Sequence, residues 1–152
     1  MLGIAGEIAL LVAFVASGAG GPEIRLRPTS SPEAPGHTVA GGDNPLARLR
    51  GLGWSPDGEY LTFAESTGGE DVGDAGHGSA GNDGAFRIHV IDFRTGEATR
   101  LTGVGSGDID PAFLVDPLAP GGFSGVVFSS SRDGLSRDLY RVAFTSSSRP
   151  GR

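Results

Sequence analysis

The chain contains no cysteine, which rules out disulfides, thiolate metal sites, c-type haem attachment and cysteine nucleophiles. Its redox compartment stays open for the same reason. Lysine is absent too: all 12 basic residues are arginine, set against 18 acids for a net charge of −6. An acidic chain with no basic stripe and no interleaved aromatics repels phosphate backbones, so no nucleic-acid partner is expected. Large hydrophobes are scarce. The hydrophobic fraction is 38%, and Gly (27) with Pro (10) makes up about a quarter of the 152 residues. This suits one modest domain of short strands and many turns. No segment after the N-terminal run has helical periodicity, so the expected class is all-β.

The one long apolar run, residues 8–16, is too short for a membrane span of ~20 residues. Small residues follow it, Ser17 to Gly21. That pattern suits a signal peptide over residues 1–21, and with it a periplasmic or secreted protein that keeps no stable membrane span after cleavage. Glu7 at the edge of the run and the lack of any Arg before Arg25 point the other way. A plain N-terminal hydrophobic segment has the same composition, and the protein would then be cytoplasmic. Residues 22–47 hold Pro22, Pro28, Pro32, Pro35 and Pro45 and read as a Pro/Gly-rich linker with one short strand at Ile24-Arg25-Leu26. Residues 67–84 contain one hydrophobe larger than Ala, too few to offset the entropy of ordering, and read as a flexible insertion. Residues 145–152 form a polar tail.

Between these segments lie short runs rich in β-branched and aromatic residues, each bounded by turn residues: 60–64, 86–93, 97–102, 111–115, 125–129 and 138–144. They repeat. Trp54-Ser-Pro-Asp-Gly58 is a strand end running into a tight turn, in which Pro presets φ, Asp caps and Gly accepts positive φ. The second copy aligns Phe113 with Trp54, Phe128 with Phe63, and Leu139 with Ile88. Trp54 and Phe113 lie 59 residues apart, and the first copy carries 14 extra residues in the 67–84 insertion. Without them the period is 45, against roughly 40–45 for a propeller blade. The second copy has 6 extra residues in its first turn. Both length differences fall in loops, where they are tolerated.

The order of Trp54–Gly58, Phe63, Ile88–Asp92, Thr95-Gly96-Glu97, Arg100-Leu101-Thr102 and Asp108-Ile-Asp-Pro-Ala-Phe113 resembles the WD40-like repeat of TolB and related propellers. The likeness covers about 49–144, within a repeat region over 48–144. It implies an all-β partial propeller of about two four-stranded antiparallel blades, the second incomplete. In the second copy Val115-Asp-Pro-Leu-Ala-Pro-Gly-Gly122 replaces the Ser-Pro-Asp-Gly turn, and no fourth strand follows Phe144. A closed propeller takes ~4–8 blades, so the resemblance also implies a fragment of a longer protein. The expected function is a protein-interaction or scaffold module outside the cytoplasm, with a protein partner and self-association through open blade edges. A truncated propeller of a prolyl-oligopeptidase-like serine peptidase, without its hydrolase domain, is the rival.

Residue by residue, no catalytic, cofactor or metal role is assigned. Trp54, Phe63, Phe113 and Phe128 recur at equivalent positions, as blade-to-blade packing would require. His89 lies mid-strand opposite Phe86, Ile88 and Val90. Asp71, Asp74, His77, Asn82 and Asp83 match no calcium-loop spacing. Asp108 and Asp110 are expected to cap a turn. Gly122-Phe-Ser124-Gly-Val126 departs from the nucleophile elbow at its last position, and no helix follows it. Gly103-Val-Gly-Ser-Gly107 lies between strands, which is a poor phosphate cradle. If 67–84 is an insertion into a blade, shortening it to the length of the second copy's turn leaves the thermal unfolding midpoint almost unchanged. A marked drop in that midpoint would show that the segment packs and would break the repeat alignment.

Overall fold

The computed structural model describes residues 10–66, 86–103, 107–133 and 136–145. The expected insertion at 67–84 and most of the polar tail lie outside the described residues. Among the described residues ten strands follow in sequence order: β1 (Leu11–Gly18), β2 (Gly21–Pro28), β3 (His37–Gly41), β4 (Arg48–Trp54), β5 (Tyr60–Ser66), β6 (Phe86–Asp92), β7 (Glu97–Arg100), β8 (Ile109–Val115), β9 (Phe123–Ser130) and β10 (Asp138–Ala143). They form three antiparallel sheets, ordered β1-β2-β3, β4-β5-β6-β7 and β10-β9-β8. A single turn of 3-10 helix at Pro120–Gly122 lies between β8 and β9. The class is all-β, and the second and third sheets are the two expected blades, the later one with three strands.

The first sheet corrects the expected linker at 22–47. β1 pairs with β2 along its whole length, from Leu11↔Pro28 to Gly18↔Gly21, and β3 adds to the far side of β2. A short apolar run cannot be assigned to strand or leader by periodicity alone. The alternation of Glu23-Ile-Arg-Leu-Arg27 needed a partner strand, and the apolar run supplies it.

The middle sheet is apolar on both faces. On one side Leu61, Phe63 and Ile91 pack with Ile24 of the first sheet, joined by Trp54 and Phe93 with ring centroids 5.2 Å apart. On the other, Tyr60, Ala64, Phe86, Ile88 and Val90 pack against Ile109, Phe113, Phe123, Val126 and Phe128 of the third sheet. Phe123 is the centre of an aromatic group, 4.8 Å from Phe113 and 5.7 Å from Tyr60. Two covered faces explain why β5 shows no polar alternation: it is buried at every position but Glu65.

The two later sheets match position by position. Trp54 pairs with Leu61 and Phe113 with Val126; Phe63 pairs with His89 and Phe128 with Tyr140. The first strand of each carries a bulge at the same place, between Arg50 and Gly53 in β4 and between Ile109 and Ala112 in β8. Its left-handed residue is Gly51 (φ 66°) in the first copy and Asp110 (φ 53°) in the second. The bulges face each other: a Cβ on Gly51 would meet Pro111 Cδ at 2.9 Å. The turn after Trp54 is closed by Ser55, whose hydroxyl donates to Asp57 Oδ1 (2.6 Å) and accepts from the Tyr60 N–H (2.9 Å). Gly51→Ala should destabilise the fold by roughly 1–2 kcal/mol or more, because an L side chain adds left-handed strain and a clash. Asp110→Gly should be near neutral. Paired denaturant titrations check both, and a neutral Gly51→Ala would remove the bulge from the account of blade contact.

Candidate functional site

The four recurring aromatics all lie between sheets, but not equally deep. Phe63, Phe113 and Phe128 are buried, whereas Trp54, expected to be buried, is half-exposed against Phe93. In each copy the second-strand aromatic stacks on its cross-strand partner: Phe63 on His89 at 5.3 Å, Phe128 on Tyr140 at 6.1 Å.

Asp108 does not act as a turn cap alone. It is fully buried, and its backbone N–H donates to Phe86 O of the neighbouring sheet. Its carboxylate accepts two bonds from Arg132 Nη2, at 2.9 and 3.0 Å. That guanidinium lies over the rings of Tyr140 (4.6 Å) and Phe128 (5.2 Å), so it is held by charge and by cation–π contact together. Arg132 went unassigned in the sequence. Its signal was the Ser-Arg-Asp-Gly run, 24 residues from Asp108 and joined to it only by the hairpin. Asp110 points outward, with Arg50 3.6 Å away. Ser124 lies within β9 and not at a strand-to-helix turn. Asp71, Asp74, His77, Asn82 and Asp83 lie outside the described residues. No three His, Asp or Glu side chains gather at one point among the described residues.

His89 meets Glu65 on the face turned to the first sheet, with Nε2 3.4 Å from Oε2. Burial pushes the imidazole down to about 4, helped by the positive charges of Arg100 and Arg87. Burial raises the Glu65 carboxyl, and Asp43 adds to it. At neutral pH the contact is a neutral ring against a carboxylate, not an ion pair.

The two outer faces of the three-sheet stack differ. The first sheet turns outward Val12, Phe14, Glu23, Arg25 and Arg27, with Arg27 4.8 Å over Phe14 and Arg25 paired to Glu23. The Thr38 hydroxyl donates to Glu23 (2.9 Å), and this bond, ahead of Arg25, holds the carboxyl below its usual range. The third sheet turns outward Ala112, Leu114, Val127, Leu139 and Ala143, with Arg141 beside them. Leu139 is 83% exposed. Among the described residues no helix is long and apolar enough to cross a membrane.

No family model matches the chain, and no curated protein matches it in sequence. Solved structures do. A protein described as a TolB of Agrobacterium tumefaciens is 25% identical, with a TM-score of 0.59 over 88% of this chain and 38% of its own. TolB of Acinetobacter baumannii is 18% identical, with a TM-score of 0.34 over 88% of this chain and 39% of its own. The fold is a partial, TolB-like β-propeller. The chain spans well under half the length of either TolB structure. Within this TolB-like frame the second and third sheets are neighbouring blades, and β4 and β8, the first strand of each, lie against each other.

The part-buried His89 of this TolB-like blade makes stability pH-dependent. It is neutral in the fold and takes up a proton more readily when unfolded. The fold therefore loses stability as pH falls from 6.5 towards about 4. Glu65, raised by burial, is protonated more readily in the fold and offsets part of that loss at the acid end. His89→Gln should remove most of the slope of the unfolding midpoint between these pH values. An unchanged slope would place the titration elsewhere.

Proposed function

We propose that the chain is a non-catalytic segment of a longer β-propeller and serves as a protein-interaction or scaffold module outside the cytoplasm. The observation that carries this is the outward face of the third sheet. Propeller blades are covered on both faces by their neighbours. The middle sheet meets that condition. The strip of Ala112, Leu114, Val127, Leu139 and Ala143 on the third sheet suits a further packed layer. The partial span of the TolB structures supports the same reading. Ser124, set within a strand, supports a binding role over a hydrolytic one. Location outside the cytoplasm is supported by the composition of residues 1–21. Residues 11–18 serve as β1, so cleavage after residue 21 would take that strand out of the first sheet.

An uncovered apolar strip finds a partner in its own kind. The 152-residue chain should self-associate at micromolar concentration, and Leu139→Glu should shift it towards monomer without lowering its unfolding midpoint. Size-exclusion chromatography with light scattering reads the difference. A compact wild-type monomer at all concentrations would overturn the proposal that this face is built to be covered.

A further inference from the structure

The first sheet repeats the register of the other two. Phe14 pairs with Arg25 in the first sheet, Phe63 with His89 in the second and Phe128 with Tyr140 in the third. Counted from these pairs, Ile24, Ile88 and Leu139 hold one equivalent place, and Val12, Leu61 and Val126 hold another. The two places meet wherever sheets touch. Ile24 of the first sheet packs with Leu61 and Phe63 of the second, and Ile88 of the second packs with Val126 and Phe128 of the third. Ile24 and Ile88 are both 0% exposed, whereas Leu139 is 83% exposed. At the other end of the stack Val12 is 41% exposed, and Phe14, two residues on, shares its outward face. Among the described residues the third sheet thus presents one half of the recurring contact, and the first sheet presents the other.

We propose that a second copy of this chain covers the third sheet with the outward face of its own first sheet, seating Val12 and Phe14 of that copy against Leu139. This rests on the reading above that the third sheet's face is built to be covered, and it names what covers it in the 152-residue chain. Continuity with the two contacts inside the chain carries the choice, since the same strands and the same register places meet in all three. A contact between two different faces is head-to-tail, and it repeats until it closes. Two copies of three sheets bring six, inside the range of ~4–8 blades at which propellers close. A pair is then held by two equal contacts, and neither outer face is left in water. Charge on the first sheet is no bar to this. Arg25 is paired to Glu23, and Arg27 lies over the Phe14 ring. The second sheet holds Arg87 and His89 at the places of Glu23 and Arg25, and its face is packed against the first sheet all the same. Leu139 against a second Leu139 would join two faces of one kind, a pairing that neither contact inside the chain uses.

Size-exclusion chromatography with light scattering tests it on the full chain and two variants. Wild type should run as a discrete dimer. Leu139→Glu and Val12→Glu should each weaken that dimer about tenfold or more, with far-UV circular dichroism unchanged. Mixed one to one, the two variants should pair at concentrations where each alone is monomeric, because one of the two contacts then keeps both native halves. The chain has no cysteine, so Leu139→Cys and Val12→Cys give a second reading that adds no charge. Mixed and oxidised, these two should cross-link to each other in preference to themselves. A Val12→Glu chain that stays dimeric while Leu139→Glu is monomeric, or a Leu139→Cys chain that cross-links mainly to itself, would place third sheet on third sheet. Either result overturns this proposal and leaves the reading it rests on intact. A mixture that stays monomeric, or wild-type assemblies that grow past the dimer with concentration, would overturn it as well. A wild type that is monomeric at all concentrations would overturn both.

Discussion

Everything in this molecule depends on covering both faces of the middle sheet. β5 and β6 place large apolar side chains on alternating sides: Leu61, Phe63 and Ile91 on one, Tyr60, Ile88 and Val90 on the other. At ~25 cal/mol per Å² of apolar surface, leaving either face in water would cost more than a domain of this size holds in reserve. The first and third sheets are therefore required neighbours of the middle one. Their position follows from its two-sided pattern.

Contact between neighbouring sheets is set by backbone as much as by side chains. Equivalent bulges in β4 and β8 bring Gly51 and Pro111 together, and a residue with a Cβ at position 51 would hold the two strands apart. Just before the start of β8, Asp108 ties the second sheet to the third, through its N–H to Phe86 and its carboxylate to Arg132. A buried carboxylate is costly unless its partner is well placed. Arg132 is well placed because Phe128 and Tyr140, themselves a repeat-equivalent stacked pair, hold its guanidinium over their rings. The family-like signature residues thus form one continuous structural device.

That device explains why the motif residues hold the blades together. Aromatics and acids that recur in the sequence are consumed in blade contacts. What is left facing outward differs from end to end: Arg25 and Arg27 beside Phe14 on the first sheet, and an apolar strip on the third. A repeat protein that stacks in one direction has this polarity, because each unit completes the one before it and exposes a face for the next.

The sequence by itself determined the all-β class, the two copies and their alignment. Turn chemistry at Trp54–Gly58 and the spacing of Phe63, Ile88, Phe113, Phe128 and Leu139 are local signals, and each survives reading one segment at a time. Tertiary structure decided the rest. Residues 11–28 became a strand pair because Glu23–Arg27 and the apolar run before it satisfy each other's backbone, a relation invisible in either segment alone. Arg132 found Asp108 only across a folded hairpin, 24 residues away in the chain. The pocket lined by Val90, Thr99 and Phe144 belongs to no segment alone, since β6, β7 and the residue after β10 bring these side chains together. Local pattern specifies strands and turns; which faces and edges stay open is settled only when the sheets pack.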